Sequence, residues 1–175
     1  MSVKRVLQCM AGVLVGLLFA VCATTSAQAA ALAPKAGAGH TAEAGSILRA
    51  PAAPSFASRM AAATTAVSPT IEPAVGYAHV QPGGLFRCSS GDFCPLVWDP
   101  TTSSWKLFYM YQCLWYDVHN WLGGGNYVNN QTGGSKTVTT FYGSLGFVQK
   151  QFTAENAGNT LYYQDWDPVY SITPC

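Results

Sequence analysis

Aromatic residues are concentrated in the second half of the chain, and this concentration locates the folded domain. All 5 Trp and all 9 Tyr lie at or beyond Tyr77, and with 6 of the 8 Phe they place 20 aromatics in the last 99 residues. Aromatic side chains bury large apolar areas, so this segment can form a core without many aliphatic residues. The sequence therefore predicts one domain over residues 77–175.

The amino terminus has the pattern of a secretory signal peptide. Lys4 and Arg5 precede an apolar stretch from Met10 to Val21, which is followed by the small-x-small sequence Ala27-Gln28-Ala29. This order predicts export with cleavage after Ala29, so 1–29 is removed and the product is extracellular. The apolar run is shorter than the ~20 residues that a membrane span needs.

Residues 30–76 consist mainly of Ala, Pro, Ser, Thr and Gly and contain a single aromatic residue, Phe56. Such a composition buries too little apolar surface to offset the entropy of ordering the chain. We therefore expect a disordered linker here. Removal of the segment after export, as a pro-segment, is the alternative.

Four cysteines remain after signal cleavage: Cys88, Cys94, Cys113 and Cys175. An even number of cysteines in a short exported chain predicts disulfides. Of the three possible pairings we favour Cys88 with Cys94, because the turn-forming sequence between them can bring the two ends together. Cys113 then pairs with Cys175. Because the chain has no CxxC pair, a zinc site is the weaker interpretation.

Short strand signals recur between turn residues through the domain. Glycine and proline clusters such as Gly123-Gly124-Gly125 and Asp167-Pro168 separate them and leave no room for a long amphipathic helix. The fold class is therefore all-β, a sandwich or barrel of antiparallel strands. The predicted strands are Phe93–Trp98, Trp105–Tyr111, Thr137–Tyr142, Leu145–Lys150, Thr160–Gln164 and Val169–Ile172.

A weak internal repeat refines this prediction. Residues 93–130 and 138–175 share an order of strand, turn, aromatic strand, polar loop, Trp, turn and closing aromatic residue. Two units of roughly 40 residues, each with about four short strands, indicate paired Greek keys.

Charge and residue spacing exclude several classes of function. Residues 77–175 carry four basic and six acidic side chains, a formal charge of −2, so nucleic acid is not an expected partner. His79 and His119 lie in no metal-ligand spacing, and Asp165 and Asp167 are best interpreted as turn residues. The sequence Tyr142-Gly143-Ser144-Leu145-Gly146 lacks the first glycine of a nucleophile elbow. We expect no enzyme activity, no cofactor and no resident metal.

Two segments carry a family resemblance. Residues 88–94, Cys-Ser-Ser-Gly-Asp-Phe-Cys, and residues 126–133, Asn-Tyr-Val-Asn-Asn-Gln-Thr-Gly, resemble parts of the secreted actinobacterial peptidase-inhibitor family typified by the Streptomyces metalloproteinase inhibitor. The resemblance covers residues 86–175. It implies a βγ-crystallin-like double Greek-key sandwich stapled by two disulfides and a function in protease inhibition.

The resemblance implies a rigid loop that enters the cleft of an extracellular protease, with a metalloprotease as the possible target. In that family the contact loop is closed by a nearby cysteine pair, which this sequence lacks in its second half. Cys113-Leu114 is the nearest analogue, because an apolar residue follows a bridged cysteine. The alternative interpretation places Leu114, Trp115 and Tyr116 in core or half-buried strand positions.

Calcium binding, which βγ-crystallin domains often show, is poorly supported. The stretch from Asp99 to Ser104 keeps three positions of the pattern but has Pro100 at the second position. A further alternative function is an extracellular carbohydrate- or cell-wall-binding module that stacks exposed aromatics on sugar rings. Burial of most Trp with a projecting loop would favour inhibition, whereas three exposed Trp on one face would favour sugar binding. We expect a monomer that binds no membrane after signal cleavage.

Overall fold

The computed structural model describes residues 47–61, 65–154 and 160–175, all of which belong to the unit His40–Cys175. The predicted signal peptide, 1–29, and the first part of the predicted linker, 30–46, lie outside the described residues. Within the described ranges no helix has the length and apolar character needed to cross a membrane.

Short strands account for the secondary structure, as the aromatic and β-branched runs between turn residues predict. The described residues also contain one five-residue helix, α1 (Ala57–Ala61), and a 3₁₀ turn at Gly134–Lys136. The strands are β1 (Ile47–Arg49), β2 (Thr70–Glu72), β3 (Gly76–Val80), β4 (Leu85–Arg87), β5 (Phe93–Asp99), β6 (Ser104–Tyr109), β7 (Tyr116–His119), β8 (Gly124–Asn129), β9 (Val138–Tyr142), β10 (Val148–Thr153), β11 (Tyr162–Asp165) and β12 (Ser171–Pro174). The all-β prediction is confirmed.

Two five-stranded sheets form a sandwich. Sheet I has the order β11-β8-β5-β6-β3 and sheet II has the order β10-β9-β12-β7-β2, with every neighbouring pair antiparallel. A separate ribbon joins β1 to β4. β7 and β8 were not among the predicted strands, although Tyr127 and Val128 of β8 were expected to close the first repeat.

The two repeat units exchange one strand each between the sheets. The unit at residues 93–130 contributes β5, β6 and β8 to sheet I and β7 to sheet II; the unit at 138–175 contributes β9, β10 and β12 to sheet II and β11 to sheet I. In each unit the fourth strand lies beside the first, since β8 pairs with β5 and β12 pairs with β9. Neither unit can therefore complete its sheets without the other.

The main core lies between the two sheets and is largely aromatic. Phe93 and Tyr127 from sheet I meet Phe141 from sheet II, with ring centroids 5.4 to 5.9 Å apart. Trp166 is fully buried, and its indole N–H donates to the Leu96 carbonyl at 3.1 Å. Buried aromatics with satisfied polar atoms supply the apolar area that the few aliphatic residues do not.

A second core covers the opposite face of sheet I. Leu96, Trp98 and Trp105 point away from sheet II and are almost completely buried. They are covered by residues 47–61, from which Leu48, Phe56 and Met60 pack against them. We call residues 47–61 the strap. Because both faces of β5 are covered, all seven of its residues are buried.

The strap differs from the linker predicted over 30–76. β1 pairs with β4, and β2 pairs with β7 and places Ile71 in the main core, so the domain begins before Tyr77. Composition did not predict that the strap and β2 are ordered. Their few spaced apolar side chains are buried against sheet I, which lies far away in sequence.

Gly123-Gly124-Gly125 was predicted to be a turn, but β8 begins at Gly124. The three glycines allow three aromatic rings to reach the backbone: Phe56 at Gly123, Tyr163 at Gly124 and Trp166 at Gly125. A Cβ at Gly123 would lie 2.6 Å from the Phe56 ring, and a Cβ at Gly124 would lie 2.6 Å from the Tyr163 hydroxyl and 2.9 Å from its ring. Gly123 also has φ +68°, so both its backbone conformation and the ring contact require glycine there, whereas at Gly124 and Gly125 the close contacts do.

Candidate functional site

The loop of residues 111–115 joins β6 to β7 and exposes apolar side chains. Leu114 is 43% exposed and Trp115 is 47% exposed, whereas Tyr116, the first residue of β7, is buried. The alternative core interpretation therefore holds for Tyr116 alone. An exposed leucine beside an exposed tryptophan is a feature of contact surfaces.

A disulfide ties the middle of this loop to the carboxy terminus. Cys113 pairs with Cys175 across a Cα–Cα distance of 4.7 Å, and the Cys175 N–H donates to the Val138 carbonyl at 3.0 Å. Cys88 pairs with Cys94 at 5.9 Å. Both predicted disulfides are present in the structure. The Cys113–Cys175 bond fixes Cys113, the residue that precedes Leu114.

The residue that follows Leu114 is fixed by stacking and by hydrogen bonding. The Trp115 ring lies 4.4 Å from the Tyr142 ring, and its indole N–H donates to Asp117 Oδ1 at 2.8 Å. Ser171 Oγ donates to the same oxygen at 2.7 Å. These two hydrogen bonds lower the pKa of the Asp117 carboxyl below its usual range.

The base of the loop is also ordered. Met110 exchanges two backbone hydrogen bonds with Phe93, at 2.9 and 3.0 Å. The Gln112 carbonyl accepts hydrogen bonds from the Leu114 N–H at 3.0 Å and from the Tyr116 hydroxyl at 3.2 Å. Leu114 thus projects from a loop whose two ends and middle are restrained.

The Cys88–Cys94 loop supports the 111–115 loop from the side. Gly91 has φ +92°, and a Cβ on it would lie 2.8 Å from the Tyr111 ring. The Gly91 N–H donates to the Asn130 carbonyl, and the Asn130 amide donates to the Cys88 carbonyl. The two disulfide loops therefore form one surface.

Acidification tests the role of Asp117. Since its folded pKa is lowered, the carboxylate contributes stability that is present above the ordinary value of 3.8 and is lost as the pH falls through the folded pKa. We expect the fluorescence of exposed Trp115 to change below pH 3.8, and Asp117→Asn to abolish that step. Asp165→Asn, at the exposed end of β11, is the matched control, and circular dichroism monitors global unfolding. A step at or above pH 3.8, or one that persists in Asp117→Asn, would contradict this role.

A buried polar cluster lies on sheet I at a position that sequence reasoning considered only for calcium. Asp99, fully buried, accepts hydrogen bonds from Ser68 Oγ at 2.6 Å and from the Thr101 N–H and hydroxyl at 2.9 and 2.6 Å. Lys106 Nζ donates to Ser68 Oγ at 3.0 Å and to the Pro69 carbonyl at 2.7 Å, and His79 Nε2 lies 3.6 Å from Asp99.

Burial raises the pKa of Asp99, but the hydrogen bonds from Ser68 and Thr101 and the charge of Lys106 outweigh this effect, so the pKa is lowered overall. The carboxylate is therefore engaged by the protein's own donors instead of presenting oxygens to a cation. Among the described residues no group of three or more His, Cys, Asp or Glu could hold a metal ion. Ser68 and Lys106 were not predicted from the sequence to be members of a polar cluster. The position of Lys106 within an aromatic strand was the signal that could have identified it.

The remaining candidate residues occupy surface or turn positions. His119 is exposed on β7. Asp165 Oδ1 accepts the Asp167 N–H and Asp167 Oδ1 accepts the Gly123 N–H, so both stabilise turns. Ser144 lies in the β9–β10 hairpin turn, which Gly146 closes at φ +75°. The predicted strand Leu145–Lys150 therefore begins at Val148, and Leu145 is 81% exposed at the tip.

The five Trp residues divide unequally between core and surface. Trp98, Trp105, Trp121 and Trp166 are buried, and Trp115 is exposed. Comparison of the chain with family models, curated proteins and solved structures finds no match.

Proposed function

We propose that the protein is a secreted protease inhibitor that places the 111–115 loop in the cleft of an extracellular protease. One observation carries the proposal: exposed Leu114 lies between Cys113, fixed by a disulfide, and Trp115, fixed by its contacts with Tyr142 and Asp117. A loop ordered before binding loses little further entropy in the complex, so its contacts appear as affinity.

The target we propose is a metalloprotease with an apolar pocket. Leu114 follows the bridged Cys113, which is the arrangement that the family resemblance implies for entry into such a pocket. Cleavage of the peptide bond between these residues would leave both product ends held, Cys113 by the disulfide and Trp115 by the Tyr142 ring. Held ends favour religation over release, so the inhibitor resists proteolysis.

We also propose that the sandwich is a βγ-crystallin-like double Greek key. The support is the exchange of β7 and β11 between the two repeat units, together with the position of the fourth strand beside the first in each unit. The two disulfides agree with export to an oxidising compartment, where they persist.

Substitution of Leu114 tests the inhibitory loop. The mature protein is titrated against thermolysin-like metalloproteases and serine proteases, and we expect Leu114→Asp to weaken inhibition at least 100-fold, because a carboxylate is costly to bury in an apolar pocket. Leu122→Asp is the matched control, because Leu122 is 48% exposed elsewhere on the surface. No inhibition by the wild-type protein at micromolar concentration, or equal effects of the two variants, would refute the proposal.

A carbohydrate-binding module is the second candidate, favoured by exposed Trp115 and its contact with the half-buried Tyr142 ring. A sugar ring could stack on this pair while Asp117 accepts a hydroxyl hydrogen bond. Retention of the protein on insoluble cell-wall polysaccharide, lost in Trp115→Ala but kept in Leu114→Asp, would identify this function. Retention lost in neither variant would exclude the ring pair as its cause.

A further inference from the structure

The strap lies in a groove on the face of sheet I that points away from sheet II. Between β1 and α1 it has the sequence Ala50-Pro51-Ala52-Ala53-Pro54-Ser55-Phe56, with two prolines three residues apart. In an extended polyproline helix, which has three residues per turn, this spacing places both prolines on one side. This spacing is of a type that aromatic-lined sites recognise, and in the strap it ends in a turn at Ser55 and Phe56, where the Ala57 N–H donates to the Pro54 carbonyl.

The first contact is a directional hydrogen bond. The Trp105 indole N–H donates to the Pro51 carbonyl at 3.0 Å, and Trp105 is otherwise buried. A proline-containing segment has few backbone N–H groups to pair, but it offers exposed carbonyls. A tryptophan N–H at the groove wall can donate a hydrogen bond to such a carbonyl.

Two further contacts fix the ends of the segment. At the amino-terminal end the Ala50 N–H donates to the Gly84 carbonyl at 2.8 Å, and the Gly83 N–H reaches the Ala50 and Pro51 carbonyls at 3.2 Å. At the other end the far edge of the Phe56 ring lies against Gly123, which has φ +68° and no side chain to obstruct the ring. The groove thus contacts the Pro51 carbonyl and, five residues later, the aromatic ring of Phe56.

The strap does not fill this groove. A pocket of about 330 Å³ remains between Pro51, Pro54 and Phe56 on one side and Trp105 and Tyr163 on the other. Its remaining lining residues are Ala52, Ser55, Gly124, Gly125 and Asn126. This pocket opens to solvent beside the strap, so a side chain of an added peptide has room to enter along Trp105 and Tyr163.

We infer that this groove is a peptide-binding site for extended Pro-x-x-Pro segments followed by an aromatic residue, and that the strap is its intramolecular ligand. The inference is independent of protease inhibition, because the groove and the 111–115 loop share no residues. A tethered ligand acts at millimolar effective concentration, so a free peptide competes poorly until the strap is weakened.

The experiment uses the full mature chain and a fluorescent peptide with the sequence of residues 49–57. Phe56→Ala weakens the strap without altering the groove wall, and we expect it to bind the peptide at least tenfold more tightly than the wild type. Trp105→Phe in the Phe56→Ala background removes the indole N–H, and we expect it to lose that gain. A peptide with Pro51 and Pro54 both replaced by Ala is the matched ligand control.

If Phe56→Ala fails to fold, a wild-type chain with a protease site engineered at residues 62–64 is folded first and then cut. The strap is then a separate peptide, and the inference expects it to exchange with the labelled peptide but not with the proline-free control. Failure of exchange, binding that ignores the prolines, or binding unchanged by Trp105→Phe would overturn the inference. A dimer of Phe56→Ala that the free peptide dissociates would support it, with a second copy as the partner.

Discussion

Replacing Cys113 and Cys175 together by alanine is expected to lower the free energy of unfolding by about 4 kcal/mol, because their bond closes a long loop, at a sequence separation of 62, in the unfolded chain. Both residues are exposed, so the substitution removes little packing. Inhibition is expected to weaken more than tenfold in addition, because the residue before Leu114 loses its anchor. Urea unfolding and protease titration measure the two effects separately.

The Cys88→Ala/Cys94→Ala double variant is the matched control. Its loop is short, so chain entropy contributes only about 2 kcal/mol, although both side chains are fully buried and lose packing as well. We expect this variant to be less stable than the wild type and, under conditions where it is folded, to inhibit more weakly than the wild type but more strongly than the Cys113→Ala/Cys175→Ala variant, because Cys113–Cys175 remains while the support at Tyr111 is loosened. Equal loss of inhibition in both double variants would show that general stability, and not the anchor, sets the affinity.

Substitution of Asp99 by asparagine is expected to cost about 1.5 to 3 kcal/mol, the range for a hydrogen bond to a charged group. The amide weakens the hydrogen bonds from Ser68 and Thr101, whereas Lys106, which is 6% exposed, keeps its bonds to Ser68 and Pro69. Because the charge of Lys106 is the smallest of the effects that lower the pKa of Asp99, the Asp99→Asn/Lys106→Met variant should recover less than half of the cost. Chemical denaturation of the four species gives the coupling energy.

Asp165→Asn, at the exposed end of β11, is the control and should change stability by no more than about 0.5 kcal/mol. The pH dependence gives an independent check. Because the folded pKa of Asp99 is lowered, its contribution is present above pH 3.8 and disappears as the pH falls through the folded pKa. A wild-type stability that is flat across this range would contradict the role assigned to the carboxylate.

The two disulfides and the aromatic core together explain how a small sandwich can hold a rigid surface. The aromatic residues pack β5 of sheet I against β7 and β9 of sheet II, and the bonds at Cys88–Cys94 and Cys113–Cys175 fasten the loops that precede β5 and β7. The 111–115 loop is therefore restrained at its ends and its middle. Rigidity of this kind is what loop-mediated inhibition requires.

Local signals in the sequence determined the class of fold and the cross-links. Aromatic and β-branched runs between glycine and proline turns predicted β5, β6, β9, β11 and β12 to within a few residues, because strand formation there depends on neighbours along the chain. The turn sequence between Cys88 and Cys94 predicted their pairing, and the remaining pair followed. The sequence identified Cys113-Leu114 as the candidate contact segment, but it did not predict that Leu114 is exposed.

Only the tertiary structure decided which residues are covered and which project. Three features depend on contacts between residues far apart in sequence. They are the packing of the strap, the burial of Asp99 with Lys106, and the packing of aromatic rings against Gly123 to Gly125. Burial is a property of the assembled sheets, and a periodic pattern within one strand does not show what lies across from it. For this reason the exposure of Leu114, on which the proposed function depends, could be established only from the folded structure.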